Sequence, residues 1–210
     1  MTTHVALSEP PHPDQIRQAA SLVRAGGVVA YPTDTLYALG VDPRQADAVE
    51  TLCHAKDRAS GSGLPLIATS LEQVEQTLGP LSPLGRRLAR HWWPGPMTLV
   101  FTPTAALPEP VHAPDGSLAV RVPASDAARA LAAAVGHPLT STSANRRGAT
   151  PAPDGAALLR ELGPTVALLL EHPTPLEGAP STIVDARGES PVLLRAGSVA
   201  WDRVLQSTRA

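Results

Sequence analysis

Gly26-Gly27-Val28-Val29-Ala30-Tyr31-Pro32-Thr33-Asp34-Thr35 is the stretch that decides the fold. Gly27 to Tyr31 reads as a short apolar strand with no polar alternation, the pattern of a strand covered on both faces. Pro32 has no N–H for a central ladder, so the strand stops there and a polar loop follows. Upstream, Ile16, Ala19, Ala20 and Val23 recur at helical spacing, which predicts a helix from about Gln15 to Ala25 with Asp14 as its N-cap. Gly26-Gly27 then ends that helix. A helix feeding a buried strand that opens into a polar loop is the unit of an α/β fold.

The same alternation continues outward. Helices are expected over Arg44–Ala55, after the Ser70-Leu71-Glu72-Gln73 capping pattern, over Leu84–His91, from Ser125 to about Val135, over Asp154–Leu162 and near Val199–Leu205. Strands are expected at Leu64–Ala68, Met97–Phe101, Leu118–Val122, Leu139–Thr142, Val166–Leu170, Thr182–Val184 and Val192–Leu194. The class is therefore α/β, a single domain over residues 13–210 with residues 1–12 as a flexible leader. The 210 residues suffice for one sizeable core.

Composition narrows the function. Net charge is −2, which argues against a protein built to grip a nucleic-acid backbone, so tRNA binding is expected to be weak or absent. The single Cys53 excludes an internal disulfide and reads first as a small buried hydrophobe. No signal peptide and no membrane-spanning run is legible, which points to the cytoplasm and to no membrane partner. The seven His show no metal-ligand spacing, so no metal held by protein alone is expected. Of the 17 basic residues only Lys56 is a lysine, a compact point charge in a chain that otherwise uses the planar fork of arginine.

Several polar or charged segments sit at or near the ends of predicted elements, and ligands collect at strand ends in α/β sheets. Thr33-Asp34-Thr35 can bind a small polar molecule, although taken alone it reads better as a turn bonding its own backbone. Lys56-Asp57-Arg58 closes a helix; the two cations suit a polyphosphate and equally suit the helix dipole. The loop from Ala59 to Gly63, with Ser62, can approach phosphates closely, but it is no P-loop. Arg121 stands in the otherwise apolar Ala119–Pro123, and a charge there needs an ion-pair partner or a wet cavity. A carboxylate clamp is the favoured reading, since the guanidinium fork matches a carboxylate bidentately. Ser141-Thr142-Ser143-Ala144-Asn145 offers hydroxyls and an amide with no acid or base and no G-x-S-x-G elbow, so it suits binding rather than nucleophilic attack. Ser181 lies in a further hydroxyl loop before a strand, and Arg195 follows an apolar one.

Together the segments GGVVAYPTDTLYALG (26–40), AKDR (55–58), HWWPGPMTLVF (91–101), SLAVRVP (117–123), PLTSTSAN (138–145), GAPSTIVD (178–185) and LLRAGS (193–198) resemble the YrdC/TsaC family of threonylcarbamoyl-AMP synthases, in its short form without an extra C-terminal domain. The resemblance implies a twisted mixed sheet with flanking helices around a concave cavity. It implies a nucleotidyltransferase that joins L-threonine, bicarbonate and ATP, accompanied by Mg²⁺, into threonylcarbamoyl-adenylate and releases pyrophosphate. Partner proteins then transfer the group to tRNA, as the first step of a tRNA modification. It places Thr35, Arg121, Ser141 and Ser181 around threonine. It places Lys56, Arg58, Ser62, Ser117, Ser143, Asn145, Pro151 and Arg195 around ATP, with Lys56 and Arg58 stabilising the reacting phosphates. Departures from the family pattern fall at Ala38, Ala59, Ser62, Ile67 and Arg146-Arg147. The competing readings are a divergent paralogue acting in carbamoyl transfer and an RNA-binding module.

Overall fold

The structure is a computed structural model that describes residues 2–57, 63–146, 148–176 and 178–208. Its strands are β1 (Thr3–Ala6), β2 (Val28–Pro32), β3 (Tyr37–Gly40), β4 (Leu66–Ile67), β5 (Met97–Phe101), β6 (Leu118–Arg121), β7 (Leu139–Thr140), β8 (Thr142–Ser143), β9 (Val166–Glu171), β10 (Thr182–Asp185) and β11 (Val192–Arg195). Its helices are α1 (Pro13–Arg24), α2 (Ala46–Ala55), α3 (Leu71–Thr77), α4 (Pro83–Trp92), α5 (Asp126–Val135), α6 (Gly155–Leu162) and α7 (Trp201–Ser207). Two mixed sheets result, ordered β1-β9-β2-β3-β8 and β11-β10-β5-β6-β4-β7.

Strand β2 is buried along its whole length, and its two faces serve two cores. Val29 and Tyr31 join Leu168 and Leu170 of β9 beneath α1 and α5, which contribute Ile16, Ala19, Ala20, Val23, Ala128 and Leu131. Val28 and Ala30 point the other way, into a larger core shared with Leu66, Leu99 and Val120 of the second sheet and with Leu52, Leu88 and Leu158 of the helices. The apolar run lacks polar alternation because neither face meets water.

Several local expectations are corrected. Residues 3–6, expected in a loose leader, form β1, paired in parallel with β9 from Thr3↔Leu168 to Ala6↔Glu171. The N-cap of α1 is His12, with Pro13 as the first helical residue and Gln15 closing a capping box, so Asp14 sits inside the first turn. Tyr37–Gly40, assigned to no element from the sequence, is a buried strand antiparallel to β2. The stretch 139–143 belongs to two strands. Leu139 and Thr140 pair with β4 in one sheet, Thr142 and Ser143 pair with β3 in the other, and Ser141 stands at the crossing. Among the described residues no helix is long and apolar enough to cross a membrane.

Candidate active site

A cavity of about 1120 Å³ opens between the two sheets. Thr35, Ser117, Arg121, Ser141, Ser143, Pro151, Ser181 and Arg195 all line it. Residues spread over 160 positions of chain are thus brought to one space by the strand ends that carry them, from Thr35 after β2 to Arg195 at the end of β11. Lys56 and Asn145 stand outside that lining. Arg58 and Ser62 lie outside the described residues.

One end of the cavity is positive. Arg121 is 6% exposed and donates to Asp34 Oδ1 at 3.0 Å and to Thr35 Oγ1 at 3.4 Å. Arg121 therefore has an ion-pair partner in Asp34 and also lines the cavity. Burial pushes the guanidinium down from its ordinary pKa, and Asp34 opposes that shift. Arg195 donates to the Ser181 carbonyl at 2.8 Å and to Ser181 Oγ at 3.1 Å. Its pKa is lowered by burial and then by the like charge of Arg121. Ser181 Oγ lies 2.8 Å from Thr98 Oγ1. Two guanidiniums against the one carboxylate of Asp34 leave net positive charge beside hydroxyls, which suits a carboxylate or another small anion.

The loop Thr33-Asp34-Thr35 divides its work. Thr33 Oγ1 accepts from the amides of Thr35 (3.2 Å) and Leu36 (3.1 Å), so it closes the turn on its own backbone. That turn aims Asp34 at Arg121 and leaves Thr35 in the cavity wall. Two glycines permit the close packing of this end. A Cβ on Gly178 would collide with the Thr35 carbonyl, and one on Gly197 with the backbone of Pro180 and Ser181.

Lys56 is 6% exposed at the C-cap of α2. Its ammonium donates to the carbonyls of Ser143 and of Asn145, the latter at 2.6 Å. Asp57, at φ 47°, lies 3.5 Å from Arg146, the residue after Asn145. Asn145 Oδ1 accepts from Ser143 Oγ at 2.5 Å, and its amide nitrogen donates to Ala149 O at 2.6 Å. The lysine thus fastens the hydroxyl loop to the end of α2.

The opposite end holds residues the sequence reading passed over. Asp115 accepts from Ser117 Oγ at 2.6 Å and from Arg187 Nη1 at 2.7 Å, while Arg187 Nη2 reaches Asp185 at 2.6 Å. Asp115-Gly116-Ser117 carries a turn signature, and Asp185-Ala186-Arg187 alternates charge at a strand end. Their pairing across 72 residues has no sequence signal.

The sequence and the fold both have known counterparts. The Sua5/YciO/YrdC family model, described as telomere recombination, matches residues 21–197. A threonylcarbamoyl-AMP synthase of Halorhodospira halophila is 42% identical over 171 residues, covering 78% of this chain and 90% of its own. One of Thiobacillus denitrificans is 40% identical over 163 residues, covering 78% of this chain and 86% of its own. Among solved structures, P. abyssi Sua5 complexed with L-threonine superposes with a TM-score of 0.90 at 28% identity, covering 99% of this chain. This chain spans 60% of that longer protein. E. coli YciO gives a TM-score of 0.84 at 27% identity, covering 95% of this chain and 98% of its own. The chain belongs to the Sua5/YciO/YrdC family.

Proposed function

We propose that this chain is a threonylcarbamoyl-AMP synthase, joining L-threonine, bicarbonate and ATP with release of pyrophosphate as the first step of threonylcarbamoyladenosine formation in tRNA. The observation that carries the reading is the gathering of Thr35, Arg121, Ser181 and Arg195 at one positive end of a cavity of about 1120 Å³. That volume exceeds the roughly 300–1,000 Å³ of a site for one drug-sized ligand, so an amino acid and a nucleotide fit together.

In this reading Arg121 turns from Asp34 toward the threonine carboxylate, and the hydroxyls of Thr35, Ser141 and Ser181 orient the amino acid. The threonine amine, in its neutral form, attacks the carbon of carbon dioxide and gives up a proton to solvent, or attacks bicarbonate, where a C–O bond breaks and water leaves. Either route gives a carbamate. A carbamate oxygen then attacks the α-phosphorus, and the bond to pyrophosphate breaks. No residue forms a covalent bond to the substrate. Lys56, Arg58, Ser62, Ser143, Asn145, Arg195 and the backbone near Pro151 surround ATP, which enters as its Mg²⁺ complex. Catalysis consists of positioning and of charge stabilisation as pyrophosphate leaves. Partner proteins carry the product to tRNA, which this chain itself binds weakly or not at all.

The test is incubation of the pure protein with ATP, threonine and bicarbonate. Mass spectrometry should detect threonylcarbamoyl-adenylate, and pyrophosphate release should stop when threonine is omitted. Release that ignores threonine ends the proposal.

A further inference from the structure

Among the described residues, the end of the cavity away from Arg121 has the wrong polarity for a phosphate. Ser117 immediately precedes β6 and Arg121 ends it. At about 3.3 Å per residue the two lie roughly 13 Å apart along the strand. Beside Ser117, the side chains of Asp115, Asp185 and Arg187 also line the cavity. Asp115 Oδ1 accepts from both the amide (3.1 Å) and the hydroxyl (2.6 Å) of Ser117. Asp115 Oδ2 accepts from Arg187 Nη1 at 2.7 Å. Arg187 is itself anchored on Asp185, with Nε 3.0 Å from Oδ1 and Nη2 2.6 Å from Oδ2.

These bonds, the Ser117 hydroxyl first, bring the Asp115 carboxyl down to about 2. At neutral pH Asp115 is then a carboxylate, an acceptor with no proton to give. The Ser117 hydroxyl proton is committed to it, so Ser117 can offer the cavity lone pairs alone. Among the described residues, two carboxylates and one guanidinium also leave this end with a net charge of about −1. A triphosphate, all acceptors and negative charge, finds no complement in that set. A neutral N–H donor does. The same loop contributes Val111, Ala113 and Pro114 to the lining, an apolar surface suited to a heteroaromatic ring.

We propose that Ser117, held as an acceptor by Asp115 and Arg187, receives the 6-amino group of adenine and thereby selects ATP over 6-oxopurine nucleotides. This deepens the ATP-dependent reading and rests on it. A 6-oxopurine sets a carbonyl oxygen against the Ser117 lone pairs, and two buried acceptors then lack a proton between them. Asp115 and Arg187 are positioning residues, acting through Ser117.

The test is calorimetric binding of ATP, of ITP (carbonyl at position 6) and of purine riboside triphosphate (hydrogen at position 6). The wild type should prefer ATP to ITP by about tenfold or more, with purine riboside triphosphate between them. Ser117→Ala should bring the three within about threefold of one another, with its thermal melt preserved. Asp115→Ala frees the hydroxyl to donate, so ITP should gain on ATP, which loss of structure alone does not produce. An ATP-to-ITP ratio unchanged in folded Ser117→Ala, or no preference in the wild type, overturns the inference. If Asp115→Ala fails to fold, Ser117→Ala decides alone. Threonine-dependent pyrophosphate release by the wild type is measured in parallel. Its absence alongside an intact ATP preference removes the synthase reading and leaves the base selection standing.

Discussion

The Lys56 ammonium donates to the Asn145 carbonyl at 2.6 Å, joining the end of α2 to a loop 89 residues further along the chain. The sole lysine therefore tethers the hydroxyl loop, and in the proposed reading it also supplies charge to the phosphates. Lys56→Ala should lower pyrophosphate release by at least about a hundredfold, the scale of losing one preorganised donor to developing negative charge. Lys56→Arg should fail to restore it, because a planar fork cannot replace a compact ammonium directed at two carbonyls. Both variants should retain the native circular dichroism spectrum with a modestly lower melting temperature. Wild-type turnover in Lys56→Ala contradicts the assignment.

Arg121 and Asp34 are buried together, with side chains 7% and 14% exposed. Removing one partner strands the other. Arg121→Ala should cost about 3–5 kcal/mol in urea titrations. It should also raise the KM for threonine far more than that for ATP. The double variant with Asp34→Ala should recover much of the stability and none of the threonine affinity. Equal effects on both KM values argue against a carboxylate clamp.

Gly197 packs where any side chain would meet the Pro180 and Ser181 backbone. Gly197→Ala must push the Ser181 loop away, taking the Arg195 contact with it. Threonine-dependent activity should fall by about tenfold or more, since small misplacements of positioning groups are costly. Gly188→Ala, which meets nothing closer than 3.9 Å, is the control and should be neutral.

Burial lowers the pKa of His137, and the nearby Arg44 cation adds to the effect. The unfolded chain then binds the proton more readily than the folded one. Stability is complete above the unfolded value of about 6.5 and falls as pH drops below it, until the folded imidazole also protonates. Melting curves between pH 7.5 and 5 should show that decline, and His137→Gln should flatten it. An identical slope in the variant excludes His137 as the cause.

How far the sequence disclosed this molecule varies element by element. Strand β2 and helices α1 and α5 were readable because tight burial imposes a pattern on composition. Strand β1 was not, since a four-residue edge with three exposed positions carries no apolar signature. The split of residues 139–143 between two sheets depends on partners far away in the chain and leaves no periodicity. At the site, Arg121 was conspicuous as a charge within an apolar strand, and the strand-end hydroxyls followed from topology. The linkage of Asp115 to Arg187 was invisible, because each alone is an ordinary polar loop residue.

The passage of residues 139–143 from one sheet to the other has a mechanical consequence. Ser141 spans the seam where the chain leaves β4 for β3, and the candidate substrates would lie across the same seam. A ligand held by both walls then splints them. Bound protein should show slowed amide hydrogen exchange in β3 and β4 together, and the two layers should open as one unit instead of separately.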